Sequence, residues 1–202
     1  MTSFSKSIYK KADTFSKLAR RQGYRSRSSL KLIEIQKKYR FIKEGSLVLD
    51  LGCSPGGWSQ VTNRIIGKKG KVFGVDVKDM YPISEVKFVQ KDVQDLVDKD
   101  FQINGKVVNS FDVVLSDIAP NISGIGPRDD ALIVEILEKI QIIIDTFLKT
   151  EGASLVKVFQ GESFNKMMIY MKSRFQKVRI RKPIPSRSSS RETYILGLDK
   201  RK

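Results

Sequence analysis

The chain has 202 residues, 40% of them hydrophobic and 30% charged, with a formal net charge of +16, a length and balance that suit one domain with a sizeable core. One cysteine and no histidine exclude an internal disulfide, the usual zinc sites and any histidine-based acid/base scheme. Residues 1–43 hold 13 Lys/Arg against 2 Asp/Glu, residues 172–202 hold 11 against 2, and the stretch between holds 14 against 18, so a polyanion gripped by both ends is the natural partner, nucleic acid ahead of a membrane surface.

No apolar run approaches the roughly 18 residues of a membrane span, and MTSFSKSIYKK lacks the apolar stretch of a secretory signal. An intracellular protein is expected, in the cytoplasm first, with nucleolus and mitochondrion open. In chain order, SSLKLIEIQKKY (28–39) places Leu30, Leu32, Ile33 and Ile35 at helical spacing after serine caps. SLVLDLG (46–52) reads as a buried strand and GGWSQVTNRIIG (56–67) as a helix closed by Gly67. KVFGVD (71–76) and VKFVQKD (86–92) are further strands, and after a polar connection FDVVLSD (111–117) is another, ending at Asp117. The Gly/Pro/Asn-rich loop IAPNISGIGPR follows, then an amphipathic helix over 130–149 with apolar residues at 132/133, 136/137, 140, 143/144 and 147/148. ASLVKVF (153–159) reads as a strand, ESFNKMMIYMKSRF (162–175) as a helix, and QKVRIRK and ETYILGLD as a closing strand pair. Alternating strands and helices imply an α/β fold, a largely parallel sheet covered on both faces, without a linker that would divide the 202 residues into two domains.

LVLDLGCSPGGWSQ is the most specific motif. A glycine-rich turn after a strand lets a ligand approach the backbone, and Asp76, 20 residues beyond Gly56, stands where a carboxylate holds ribose hydroxyls. The spacing Gly52, Gly56, Gly57 is not the dinucleotide pattern, and Pro55 stiffens the turn where a pyrophosphate needs free amides. A nucleoside without phosphates is preferred, and S-adenosylmethionine is such a ligand. Asp92 suits its adenine amino group and Asp117 its methionine portion or the reacting centre. Trp58 is either a packing residue or a wall of the cofactor pocket. Lys157 stands with Leu155 and Phe159 on one face of an otherwise apolar strand, where an ammonium needs a partner or a task.

Taken together, LGCSPGGWSQ, LSDIAPNISG, LVKVFQGE, RSRSSLKLIEIQ and SRSSSRETYI resemble the FtsJ/RrmJ family of RNA ribose 2′-O-methyltransferases, and its compact bacterial-type large-subunit members in particular. The resemblance implies a Rossmann-like class I methyltransferase with a seven-stranded, mostly parallel sheet, helices on both faces and a C-terminal antiparallel strand. It implies a catalytic tetrad of Lys31, Asp117, Lys157 and Glu192, with cofactor contacts from Gly52, Pro55, Gly56, Trp58, Asp76, Asp92 and Asp117 and no metal. The basic segment of about 1–43 is expected to bind RNA, with Arg20, Arg21, Arg25, Arg27, Arg187 and Arg191 on phosphates. The implied reaction is 2′-O-methylation of a ribose, with uridine expected, in large-subunit ribosomal RNA, free or within the assembled subunit, by a monomer. A tRNA or cap ribose methyltransferase and a catalytically silent RNA-binding assembly factor are the alternatives. Cys53 is read as a small buried residue.

Overall fold

The computed structural model describes residues 14–119, 126–184 and 191–202. Residues 14–21 are helical (α1), an element the sequence reading did not assign, and Ala19 is its buried anchor. α2 spans Ser28–Tyr39 as expected, but its serines do not cap it: the N-cap is Arg27, in helical conformation and without a side-chain bond. Ser29 instead donates to Ser26 O (2.8 Å) and to Gly57 O (3.1 Å), so the hydroxyl fastens α2 to the helix that follows the first strand.

That strand is β1 (Leu47–Leu51), followed by α3 (Gly57–Ile66), β2 (Lys71–Asp76) and β3 (Val86–Gln90). The polar connection holds a small hairpin, β4 (Gln102–Ile103) and β5 (Lys106–Val107), turning through Asn104 and Gly105, both at positive φ. After β6 (Phe111–Ser116) come α4 (Gly126–Phe147), β7 (Leu148–Phe159), α5 (Glu162–Arg174), β8 (Phe175–Arg181) and β9 (Glu192–Lys200). β7 begins five residues earlier than expected, because Leu148 pairs with Phe111 before a register shift brings Ala153 opposite Val113. Apolar spacing alone could not separate the end of α4 from this start, since Phe147 and Leu148 are both buried.

The seven long strands form one sheet in the order β3-β2-β1-β6-β7-β9-β8. β9 lies between β7 and β8 and runs antiparallel to both, while the other ladders are parallel. One face packs on α4 and α5 through Leu49, Phe73, Phe111, Val156, Ile140 and Met171, with Phe73, Phe101 and Phe111 meeting edge to face at 5.2–5.7 Å. The other packs beneath α2 and α3 through Val48, Leu115, Leu155, Trp58 and Tyr194. Strand order reverses between β1 and β6, so the carboxyl ends of β1, β2 and β6 open onto one crevice.

Candidate active site

The crevice is a cavity of about 410 Å3 lined by Gly52, Asp76, Asp92 and Asp117 from strand ends or just beyond, with Val77, Val93, Ile118 and Ile136 as apolar walls. That size and lining are those of a small-molecule site. Its turn does not offer amides to a phosphate. Gly52 N and Cys53 N donate to Val75 O, Gly56 N to Cys53 O and Ser54 N to Asp76 Oδ2, and proline supplies no amide at 55. Asp76 accepts a second amide, from Lys78 (2.9 Å), and Asp92 accepts one from Gln94 (3.0 Å), leaving lone pairs on both carboxylates for a ligand's hydroxyl and amino donors.

Pro55, Gly56 and Trp58 do not line this cavity. Pro55 is exposed, and Gly56 is buried at φ 105, where an added Cβ would come within 2.5 Å of Ile83 and 2.9 Å of the Met80 sulfur. Gly56 therefore shapes the turn from behind. Trp58 is 2% exposed, donates to Ser28 O at 2.9 Å and packs against the Tyr194 ring at 5.7 Å, so of the two readings open for it, packing is the one the geometry selects. Lys139 and Ser54 also line the cavity, and no spacing in the sequence singles them out.

The four tetrad positions come together beside the cavity. In the β7/β9 ladder Lys157 faces Tyr194 and Phe159 faces Glu192, and α2 carries Lys31 over the same face. Lys31 Nζ donates to Glu192 Oε1 (2.5 Å) and Tyr194 Oη (3.2 Å); Tyr194 Oη donates to Asp117 Oδ1 (2.8 Å); Lys157 Nζ lies 3.0 Å from Asp117 Oδ1 and donates to Asp117 O at 2.6 Å. The result is one chain of contacts from Glu192 through Lys31, Tyr194 and Asp117 to Lys157. Both lysines are buried, 5% and 8% exposed, and each has the carboxylate that a desolvated ammonium requires.

Tyr194 is the member the sequence reading missed. Burial first, then the charges of Asp117 and Glu192, holds its phenol well above the ordinary value of 10.0, so it stays protonated and keeps its hydrogen on Asp117. The signal was available: residues 192 and 194 share one face of a strand.

The arginines divide. Arg20 and Arg21 are exposed on α1, and Arg27 is near enough for its charge to act on Tyr194. Arg191 is exposed but donates to Gln160 O (3.0 Å). Arg25 is committed to the protein: its guanidinium donates to Pro55 O (3.2 Å), Tyr81 O (2.5 Å) and Pro82 O (2.7 Å), and its amide to Gln60 (2.8 Å). It bolts the basic segment to the cofactor-side turn. Arg187 lies outside the described residues. Cys53 is buried, and burial above all raises its thiol well beyond the usual range. Among the described residues no group of three His, Cys, Asp or Glu could hold a metal, and no helix is long and apolar enough to cross a membrane.

Residues 24–200 match the model of the FtsJ-like methyltransferases. A Pseudomonas fluorescens protein named ribosomal RNA large subunit methyltransferase E is 44% identical over 92% of this chain and 88% of its own length; a Marinobacter nauticus protein of the same name is 43% identical over 92% and 89%. A crystal structure of a Plasmodium falciparum protein described as a ribosomal RNA methyltransferase superposes with a TM-score of 0.76 at 31% identity, covering 88% of this chain and 98% of that one. A match over 177 residues, a range that spans the cavity and the ion-pair chain just described, leaves one conclusion: the chain belongs to the FtsJ-like methyltransferase family.

Proposed function

We propose that this enzyme transfers the methyl group of S-adenosylmethionine to a ribose 2′-hydroxyl, of uridine, in large-subunit ribosomal RNA, as a single-domain monomer whose segment of about 1–43 grips the RNA. The observation that carries the reading is the double position of Asp117, which lines the cavity and also holds Lys157. S-adenosylmethionine would supply an electrophilic methyl carbon on a sulfonium. Asp76 and Asp92 suit its hydroxyl and amino donors. The rRNA half of the proposal rests on the relatives' names.

A ribose hydroxyl is a poor nucleophile and must be aligned with the methyl carbon and relieved of its proton. Asp117 O and Oδ1 hold the Lys157 amino group in place. Its part is to orient the attacking oxygen and stabilise the negative charge that grows there as the carbon–oxygen bond forms, the sulfur–carbon bond breaks and the hydroxyl proton passes to solvent water, and Lys31 places a second cation close by. Tyr194 holds Asp117, and Glu192 holds Lys31, so the two cations stay in register while RNA enters.

The test is transfer of labelled methyl to total RNA and to purified ribosomal subunits by the wild type and Lys157→Met, with products mapped as alkali-resistant linkages. Loss of about 10²–10⁴-fold in the variant is expected from removing one such group, with cofactor binding kept. Label appearing in tRNA alone would sink the substrate assignment. Binding of RNA and cofactor without any transfer would make the protein an assembly factor.

A further inference from the structure

The cations left unused by the proposed reaction gather at a second place. The last turn of α2 carries Lys37 and Lys38, with Arg40 just beyond the helix, all three exposed. β8 is the edge strand of the sheet, and its register with β9 sets Lys177, Arg179 and Arg181 opposite Leu198, Leu196 and Tyr194. Leu196 and Tyr194 belong to the core layer beneath α2 and α3, so the cations of β8 stand on the α2 side of the sheet. α5 packs against β8 through the opposite layer, where Met171 and Phe175 meet.

Tyr39, the last residue of α2, ties the two elements together: the Arg181 guanidinium lies 5.0 Å from its ring centre and Lys38 Nζ 5.9 Å. Little negative charge offsets the strip. β8 has no carboxylate, Glu34 is the only one in α2 and accepts from the amide of Ile184, and Asp199 of β9 is tied to Lys177 at 2.9 Å. The strip also begins at the tetrad. Arg181 faces Tyr194 across the ladder, and Lys38 follows Lys31 by seven residues of helix, about 10 Å.

We propose that this strip between the end of α2 and β8 is a second track for the RNA backbone, carrying the strand away from the tetrad on the side opposite the cofactor cavity. It rests on the function proposed above. Guanidinium forks suit phosphate oxygens, and an aromatic ring flanked by cations is the usual furniture of a single-strand groove. These cations stand beside a second cationic element, the end of α2, which protection of the sheet edge alone does not require.

The experiment compares the full-length wild type, the triple variant Lys37→Gln, Lys38→Gln, Arg179→Gln, and the pair Arg20→Gln, Arg21→Gln. The altered positions are all exposed, and thermal melts check that each variant folds. Binding of a labelled single-stranded RNA oligomer and of unmethylated large subunits is titrated at several salt concentrations. The triple variant is expected to bind more weakly and with a log–log salt slope shallower by about 2, at roughly 0.7 for each phosphate contact removed. An unchanged slope in the triple variant beside a reduced one in the Arg20/Arg21 pair overturns the track and leaves the function standing. A wild type that binds neither RNA nor subunits overturns the function, and the track with it; the wild-type isotherm tells these two failures apart.

Discussion

Asp50, in the middle of β1, has no exposed surface, and burial above all raises its carboxyl from 3.8 to about 7. The charges of Asp117 and Asp76 push the same way, while Ser59, donating from its hydroxyl at 2.6 Å, pulls back. The sign of the consequence follows. The folded chain holds this proton more tightly than the unfolded one, so between about pH 4 and pH 7 rising pH draws the proton from the unfolded state first and favours unfolding. Below that window both states are protonated; above it both are ionised and the full penalty remains, roughly 4 kcal/mol for the gap between those two values, as an upper bound. Asp50→Asn keeps an acceptor for Ser59 and removes the charge. Urea midpoints at pH 5 and pH 8 should therefore fall more steeply with pH in the wild type than in the variant; parallel pH profiles would mean that Asp50 is solvated. Tyr194 invites the opposite expectation. Tyr194→Phe breaks the link between Lys31 and Asp117 but leaves the Lys31–Glu192 and Lys157–Asp117 pairs intact, so methyl transfer should fall by less than about tenfold, far less than for Lys157→Met. An equal loss would show that the phenol, not the ion pairs, sets the geometry.

β9 is the element on which both the fold and the tetrad lean, since it joins β7 to the edge strand and carries Glu192 and Tyr194. Its last residue, Lys200, reaches past the sheet to donate to Ile144 O (2.7 Å), Asp145 O (3.1 Å) and Leu148 O (2.6 Å), closing the end of α4 where carbonyls lack helical partners. Lys200→Met keeps the stem and loses the cap, and should lower stability by about 1–2 kcal/mol, read from denaturant midpoints with activity retained. Gly197, on the same strand, sits against the Phe175 ring, whose atoms would lie 2.6 Å from an added Cβ; Gly197→Ala should destabilise by about 1–3 kcal/mol through overpacking. Much of this level was legible beforehand. Buried parallel strands such as VVL and LVKVF are apolar runs, the second broken only by Lys157, and α4 shows a clear helical stripe, so the sheet and its two layers follow from periodicity. What escaped has a physical reason in each case. α1 keeps only one residue buried among residues 17–21 and so has no stripe to read. The Asn104-Gly105 turn leaves no alternation to read because its strands are two residues long. Trp58 and Gly56 sit in a motif that looks like ligand contact, yet they act from behind the turn, and nothing in sequence separates a residue facing a cavity from one supporting its wall.

At the scale of the molecule, the two proposed substrates meet different surroundings. The RNA side draws on basic ends, with 13 Lys/Arg against 2 Asp/Glu in residues 1–43 and 11 against 2 in residues 172–202. The cavity is instead a crevice with apolar walls whose three carboxylates, Asp76, Asp92 and Asp117, are matched by Lys78, Lys91 and Lys139. These two arrangements respond differently to salt. Exposed cations on a polyanion release counterions as they bind, so affinity falls steeply with ionic strength, by about 0.7–0.9 in log K per log salt for every phosphate neutralised. A ligand held by hydrogen bonds to partly buried carboxylates is screened far less. Raising salt from about 50 to 200 mM should therefore lower kcat/KM for RNA by one or more orders of magnitude if several phosphates are engaged, while the Kd for S-adenosylmethionine changes by no more than about twofold. Steady-state methyl transfer and cofactor titration on the same preparation would decide it. If both constants moved together, the basic ends would be acting on the cofactor site itself, through Arg25 and the turn that it bolts in place, rather than on the RNA alone.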